Sequence, residues 1–341
     1  MIEVRPLPLL LRHAFRIAHG SSTERTNALL VLGEGFGEAA LPPYYPTRLS
    51  DVARWVQQIT PLLDAVLSRP YVPVASILGA LPDGPSPARA AVDMALHDLW
   101  GKRSGLPVHA LYGLDPDAMP VSSYALPIPE DRDELHRMLD EVDTFPFLKL
   151  KIGSGNEAWD EDIIRITRKR FGGTLCVDVN AHWSVDTTVR MVDRLKELDL
   201  AFIEQPIPAT SADDWHLLRR LLPGCPIPLI ADESVQGPDD VIALAGAADG
   251  INIKLAKCGG ILAARGLITL ARSLDMQVML GCMIESSVAM TAAAQLGPLT
   301  DWLDLDGPMH LKSDPFTGLS FDKGIITLPK GPGLGVAPKS A

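Results

Sequence analysis

The chain is short of cysteine, of positive charge and of long apolar runs, and each shortage removes a class of protein. Only four cysteines occur in 341 residues: Cys176, Cys225, Cys258 and Cys282. Their spacings fit neither a zinc pattern nor a disulfide framework, so they read as buried thiols of a reducing compartment. Acidic residues outnumber basic ones 42 to 31, for a formal net charge of -11. That argues against nucleic acid and anionic membranes as partners. It leaves room for an anionic small molecule, because a pocket can oppose the global field. The N-terminal apolar run covers only Leu7 to Leu11, with Pro8 inside it and Arg12 and His13 behind it. It is too short for a signal peptide or a membrane span, so a cytoplasmic protein is expected. No Gly-x-Gly-x-x-Gly turn follows an early strand, which weakens an open dinucleotide-binding sheet.

What is present is a repeat. From about residue 120, short apolar runs alternate with amphipathic ones. The strand candidates are Val121–Leu126, Phe147–Ile152, Leu175–Asn180, Ala201–Gln205, Leu229–Glu233, Ile251–Leu255, Val278–Met283 and Leu303–Asp306. A βα unit repeated in this way predicts a closed parallel barrel. Apolar residues at three- and four-residue spacing predict helices over Glu157–Arg170 and Thr187–Leu198. Ser211 with Asp214 three residues later resembles a capping box. After the eighth strand helical periodicity fades, so the eighth helix is expected to be missing. The first 115 residues read differently. Asn27–Leu32 and Phe36–Ala39 flank Gly33-Glu34-Gly35 as a hairpin, and helices are expected over Val52–Ser68 and Pro87–Gly101. The expected class is therefore α/β, with an α+β cap before the barrel.

Charge gathers at the C-terminal ends of the barrel strands, the end that carries the active site in barrel enzymes. Strand two ends Lys149-Leu150-Lys151, with both lysines on one face. Neighbouring ammonium groups repel, so one is expected to give up its proton more readily and serve as a base. Strands three, four and five end with Asp178, Glu204 and Asp232. Carboxylates buried in register are costly unless paired or metal-bound, and three oxygen donors suit a hard divalent cation, Mg²⁺ first. Helix capping is the plainer explanation of any one of them, and a weaker one for all three. Strand six brings Lys254, across the mouth from Lys151, with Lys257 as its rival. A lysine on either side of a cation suits removal of an α-proton and its return on the opposite face. Strand eight brings Asp304 and Asp306, a pair that suits a substrate ammonium group or, more plainly, turn capping.

Lys149-Leu-Lys151, Asp178-Val-Asn180, Glu204-Gln-Pro206, Asp232-Glu-Ser234 and Asn252-Ile-Lys254-Leu-Ala-Lys257-Cys-Gly-Gly260 stand in an order that resembles the enolase superfamily, muconate-lactonizing subgroup. Enzymes of that superfamily pair a Lys or His base with Mg²⁺. The resemblance implies a (β/α)7β TIM-type barrel with a capping domain made by the N-terminal region and the C-terminal segment. It suggests a cap over residues 1–115, a barrel over 116–312 and a returning segment over 313–341. It also implies one Mg²⁺ per subunit on Asp178, Glu204 and Asp232. Lys151 and Lys254 would be the acid/base pair, with Lys149 tuning Lys151. The absence of a histidine at Leu280-Gly281-Cys282-Met283 points away from the mandelate-racemase subgroup.

Within the subgroup the chain looks most like the dipeptide epimerases, through Asp304-Leu-Asp306, Met283-Ile-Glu285-Ser286 and Pro332-Gly-Leu-Gly335. The implied activity inverts the α-carbon of the C-terminal residue of an L,L-dipeptide through an enediolate. Asp304 and Asp306 would hold its ammonium group, with Met283 and Glu285 beside the substrate. Arg25 and Tyr45 are the expected side-chain contacts, and a small or hydrophobic second residue is expected. An o-succinylbenzoate synthase, an N-acylamino-acid racemase or a muconate cycloisomerase would use the same metal-enediolate site. A homo-oligomer is the expected assembly.

Overall fold

The computed structural model describes residues 1–339, and the last two residues of the expected 313–341 segment lie outside them. The chain opens with a three-stranded antiparallel sheet, β1 (Ile2–Ile17), β2 (Gly20–Leu32) and β3 (Gly35–Ala39), in the order β1-β2-β3. The expected hairpin is β2–β3. Strand β1 was not expected, because Pro6 and Pro8 interrupt its apolar alternation. It forms because Leu7, Leu9 and Leu11 alternate inward, each buried, and proline is tolerated on a sheet edge. Helices α1 (Leu49–Leu67), α2 (Val74–Ala80) and α3 (Ser86–Ser104) cover this sheet, and a short α4 (Val108–Leu111) follows.

Helix α3 is buried almost all round because it lies between the cap sheet and the barrel. A Cβ on Gly37 would sit 1.9 Å from the Ala91 carbonyl oxygen, so only glycine lets β3 approach the helix. On the other side, the Asp93 carboxylate accepts the backbone N–H of Ile261 at 2.7 Å and of Leu262 at 3.1 Å. One buried acid thus ties the cap to a barrel helix at its N-terminus, where negative charge is favoured.

The barrel strands are β4 (Tyr124–Leu126), β5 (Phe147–Lys151), β6 (Thr174–Asp178), β7 (Ile203–Glu204), β8 (Leu229–Ala231), β9 (Gly250–Ile253), β10 (Gln277–Gly281) and β11 (Trp302–Asp304). They pair in parallel in sequence order, and a parallel bridge between Ser122 and Leu303 closes the ring. Between them run α5 (Arg132–Glu141), α6 (Glu157–Arg170), α7 (Val185–Leu195), α8 (Ala212–Leu221), α9 (Pro238–Leu244), the single turn α10 (Leu255–Cys258), α11 (Ile261–Ser273) and α12 (Ser287–Ala294). Asp131, Asn156, Ser184, Ser211 and Ser286 cap their helices through side-chain oxygens. At Ser211 the expected capping box is only half made. Its hydroxyl accepts the Asp213 N–H, while the Asp214 carboxylate is taken by the Thr210 hydroxyl at 3.2 Å.

Among the described residues no eighth barrel helix forms after β11. The chain instead turns back to the cap, where Lys312 N–H donates to Leu10 O and Leu334 N–H donates to Asp98 Oδ1, both at 2.8 Å. The pairs β12 (Phe316–Thr317) with β15 (Ala337–Pro338) and β13 (Ser320–Asp322) with β14 (Ile325–Thr327) finish the segment. No helix among the described residues is long and apolar enough to cross a membrane.

The barrel interior is layered. Its lower end is plugged by Phe147, Cys176, Phe202, Ile230 and Met279, with Trp302 against them. The rings of Phe147, Phe202 and Trp302 meet edge to face at centroid distances of 5.3–6.4 Å. Two residues further along the same faces, the interior becomes polar. Lys149 and Lys151 continue the face of Phe147, while Leu148 and Leu150 pack outward into the main core.

Candidate active site

Register decides which charges meet. Lys151 pairs with Asp178 on β6, and Asp178 in turn with Glu204 on β7. Asp178, Glu204 and Asp232 are all fully buried, and each offers an oxygen within 4.8 Å of the others. Four lysines surround them. Lys149 lies 3.1 Å from Asp178, 2.7 Å from Glu204 and 2.7 Å from Asp304. Lys151 is 2.5 Å from Asp178. Lys254, on the far side, is 2.6 Å from Asp232. Lys257 is 2.5 Å from Asp232 Oδ1 and also donates to the carbonyl of Asn252 at 3.0 Å. Lys257 is thus held wholly by backbone and carboxylate, whereas Lys254 lines the cavity.

Burial opposes every one of these charges, and pairing decides the outcome. Lys151 and Lys149 overcome burial and hold Asp178 well below the usual carboxylate range. Lys254 and Lys257 do the same for Asp232. Glu204 goes the other way: burial first, then the Asp178 charge, push it up to about 8 against the pull of Lys149. Its Oε2, although 2.7 Å from the Lys149 ammonium, has no well-directed hydrogen bond. A buried triad of carboxylate oxygens with one under-served oxygen fits a hard divalent cation. Asn252 completes the support by donating to Glu204 Oε1 at 2.8 Å.

The lysines depart from expectation. Lys151 was expected to lose its proton readily beside Lys149. Burial and Lys149 do act that way, but the Asp178 carboxylate outweighs them and raises Lys151. Lys254 is raised for the same reason, by Asp232, against burial. The sequence counted ammonium neighbours, while the fold places a carboxylate closer.

Asp304 and Asp306 line the same cavity as Lys151 and Lys254. Asp304 Oδ2 takes the Lys149 ammonium and its Oδ1 the Ser123 hydroxyl at 2.7 Å. Asp306 Oδ2 accepts the Ala125 N–H at 2.6 Å and meets His310 Nε2 at 2.9 Å. The rest of the wall comes largely from the cap: Phe15, Ile17, Arg25, Tyr44 and Tyr45, with Met283 opposite. Arg25 contacts the Ser22 hydroxyl and the Glu24 carbonyl, and touches no carboxylate among the described residues. Met283 packs with Tyr45, Ala40 and Ala256. Glu285 is placed differently from the other expected contacts. It does not line this cavity, but turns back to accept the Met283 N–H at 2.9 Å and faces Glu38. Burial, then the Glu38 charge, raise it to about 8.

Several residues here were not expected. Glu233 accepts from Asn180 Nδ2 at 3.2 Å and lies 4.0 Å from His19; burial, then Asp232, raise it to about 7. Asn180, Ala181 and Gln205 have φ of 47°, 66° and 35°, a costly conformation gathered at two strand ends of the site. Asn27 and Glu38 form a second missed group. Asn27 donates to Glu38 at 2.7 Å and to the Ile284 carbonyl at 2.9 Å, and accepts the Leu41 N–H at 3.0 Å. Glu38 accepts the Ser286 hydroxyl at 2.6 Å. This junction fixes the cap loop leading to Tyr44 and the barrel loop carrying Met283 against each other. A carboxylate closing a glycine-rich strand, Gly35-Phe36-Gly37-Glu38, was its only sequence signal.

Two family models match the chain. The one described as Mandelate racemase / muconate lactonizing enzyme, N-terminal domain, covers residues 13–113, and the one described as Enolase C-terminal domain-like covers 130–341. The chain belongs to the mandelate racemase/muconate lactonizing enzyme family of the enolase superfamily. Among curated relatives, it is 36% identical over 338 residues to an L-Ala-D/L-Glu epimerase of Bacteroides thetaiotaomicron, covering 97% of this chain and 86% of that protein. Among solved structures, a dipeptide epimerase from Cytophaga hutchinsonii complexed with Mg and D-Ala-L-Val superposes with a TM-score of 0.88. It is 27% identical, with 99% of this chain and 95% of that one covered. An N-succinyl Arg/Lys racemase from Bacillus cereus superposes with a TM-score of 0.90 at 26% identity, with 99% and 95% covered.

Proposed function

We propose that the chain is a Mg²⁺-dependent dipeptide epimerase. It inverts the α-carbon of the C-terminal residue of an L,L-dipeptide by two-base proton transfer through an enediolate. One observation carries this reading: Lys151 and Lys254 flank the carboxylate triad from opposite sides of a cavity that also holds Asp304 and Asp306. Asp178, Glu204 and Asp232 are the metal ligands. Bound there, Mg²⁺ supplies a fixed positive charge for the negative charge that develops on the substrate carboxylate. Lys151 takes or returns the α-proton on one face and Lys254 on the other. Both ammonium groups are paired, with Asp178 and Asp232. With a cation held by those carboxylates, the pairing that holds the lysine protons would weaken. Lys149 beside Lys151 then favours its neutral form.

Asp304 and Asp306 bind the α-ammonium group of the dipeptide. This separates the epimerase from the N-acylamino-acid racemase, o-succinylbenzoate synthase and muconate cycloisomerase readings, whose substrates carry no such group. Residues 1–115 and 313–341 act as the cap and 116–312 as the catalytic barrel, with Arg25, Tyr45 and Met283 reading the substrate side chain. The four free thiols support a cytoplasmic setting. Exposed Leu217 and Leu221 on α8 and Ile242 on the adjacent α9 offer apolar surface for a homo-oligomer. The test is a library of acidic, basic and apolar L,L-dipeptides, with N-acylated amino acids alongside, incubated with enzyme and Mg²⁺ in D₂O. A gain of one mass unit identifies substrates. Exchange confined to N-acylated amino acids would overturn the dipeptide assignment.

A further inference from the structure

Gln205 follows the ligand Glu204 at the end of β7. It is fully buried and does not line the cavity. Its φ of 35° suits glycine and is costly for any other residue, so the surroundings must hold it there. The hydrogen bonds show what this turn accomplishes. Strands β7 and β8 pair in parallel, with Ile203 N–H donating to Pro228 O at 2.9 Å and Gln205 N–H donating to Ile230 O at 2.8 Å. In a regular continuation of that ladder the Asp232 N–H would donate to the Gln205 carbonyl. The left-handed backbone instead turns this carbonyl toward the opposite neighbour. There it accepts the Ala181 N–H at 2.8 Å, in the loop just past Asp178.

The side chain takes the place that the carbonyl leaves. Gln205 Oε1 accepts the Asp232 N–H at 2.8 Å and the Ser234 N–H at 3.1 Å. Its Nε2 donates to the Ile207 carbonyl at 2.7 Å and to the Ser234 hydroxyl at 2.8 Å. The Ser234 oxygen is held in turn by Trp215 Nε1 at 3.0 Å. A glutamine amide has two acceptor sites and two donor hydrogens, and all of them are used. Gln205 is thus bonded covalently to Glu204, through its side chain to Asp232, and through its carbonyl to the loop after Asp178. The strand ends that carry the three carboxylates meet at this one residue.

We propose that Gln205 is a positioning residue for the metal site. Its amide stands in for a backbone carbonyl in the β7–β8 ladder and so sets Asp178, Glu204 and Asp232 at the spacing of a Mg²⁺ ligand set. The inference rests on the reading of those three residues as the ligands. It accounts for a glutamine at a position whose backbone favours glycine. Glycine would adopt the turn without strain but would leave the buried Asp232 N–H without its acceptor. Mg²⁺ demands near-ideal geometry at short distances, so a shift of one carboxylate is felt in its affinity.

The experiment is calorimetric titration of Mg²⁺ into metal-free wild type, Gln205→Met and Gln205→Gly, with circular dichroism to check folding. Methionine keeps the length of the side chain and removes its hydrogen bonds. Glycine removes the hydrogen bonds and the strain together. Groups that orient metal ligands are worth about 10–100-fold in metal affinity, and both variants should lose affinity by that factor. Asn27→Ala is the control for general loss of stability, because it breaks hydrogen bonds at the cap junction and none at the triad. It should bind Mg²⁺ as wild type does. If only one Gln205 variant folds, that variant decides. Wild-type affinity in a folded Gln205 variant overturns this inference alone, and so does an equal fall in Asn27→Ala. No Mg²⁺ binding by wild type overturns the ligand assignment and this inference with it.

Discussion

Lys149 is the residue whose removal should be felt most in stability. It is completely buried, and one ammonium group serves three carboxylates from three other strands: Asp304 and Glu204 at 2.7 Å and Asp178 at 3.1 Å. Lys149→Met keeps the volume and removes the charge. Asp178 keeps Lys151 and Asp304 keeps Ser123, but Glu204 is left with Asn252 alone. Removing one partner of a buried ion pair costs about 3–5 kcal/mol, because the other charge stays buried. Set against a typical total of about 5–15 kcal/mol, that is a large fraction. Urea unfolding of the metal-free protein should show a lower midpoint with an unchanged slope.

The pH dependence has a definite sign. The three carboxylates overcome burial and raise Lys149 well above 10.5. Its stabilisation is therefore complete below 10.5 and is lost only as pH climbs through the still higher folded value. Across the acid and neutral range wild type loses nothing through Lys149. In the variant the unpaired carboxylates bind protons more tightly, so stability returns as pH falls. The gap to wild type should narrow from about pH 8 to about pH 5. A difference below about 1 kcal/mol, or a gap that widens toward acid, would refute the view that Lys149 holds the interior carboxylates together.

Other outcomes follow from the same contacts. Glu285, raised from 4.5 to about 8 by burial and Glu38, binds its proton more tightly folded than unfolded, so its protonation stabilises at low pH and that contribution fades as pH rises to about 8. Melting curves of Glu285→Gln should match wild type at low pH and exceed it by a few degrees near pH 8; parallel curves would contradict this. Asp304→Asn should raise the KM for dipeptide far more than it changes Mg²⁺ affinity by calorimetry; the reverse result would make Asp304 a metal ligand. Asn27→Ala takes one donor from Glu38, which keeps Ser286, and leaves Ile284 O and Leu41 N without their Asn27 partner; it should cost about 2–3 kcal/mol by chemical denaturation. An unchanged midpoint would show that the cap–barrel junction does not depend on it.

The barrel was legible because each strand carried a short apolar run, and the carboxylate triad because three of those runs ended on an acid. The lysine faces could be read from period-two alternation alone: Leu148 and Leu150 had to pack outward, leaving Lys149 and Lys151 inside. Strand β1 was not legible, since its prolines mask an alternation that matters only once β2 lies beside it. Nor was the state of Lys151, which depends on a carboxylate 27 residues away in sequence yet 2.5 Å away in space. Glu285 looked like a pocket residue from its place beside Met283, but its side chain folds back onto the Met283 N–H. Nor was the junction made by Asn27 and Glu38 legible, because the barrel groups that complete it, the Ile284 carbonyl and Ser286, come from far along the chain.

In the proposed reaction Lys151 and Lys254 act on opposite faces of one α-carbon. The most direct measurement is α-proton exchange in D₂O, with Mg²⁺, of a substrate dipeptide supplied separately as each C-terminal epimer to Lys151→Ala and to Lys254→Ala. Both variants should lose epimerisation. At least one should still exchange deuterium into a single epimer, the one its remaining lysine faces. Epimerisation retained in either variant would contradict the two-base assignment.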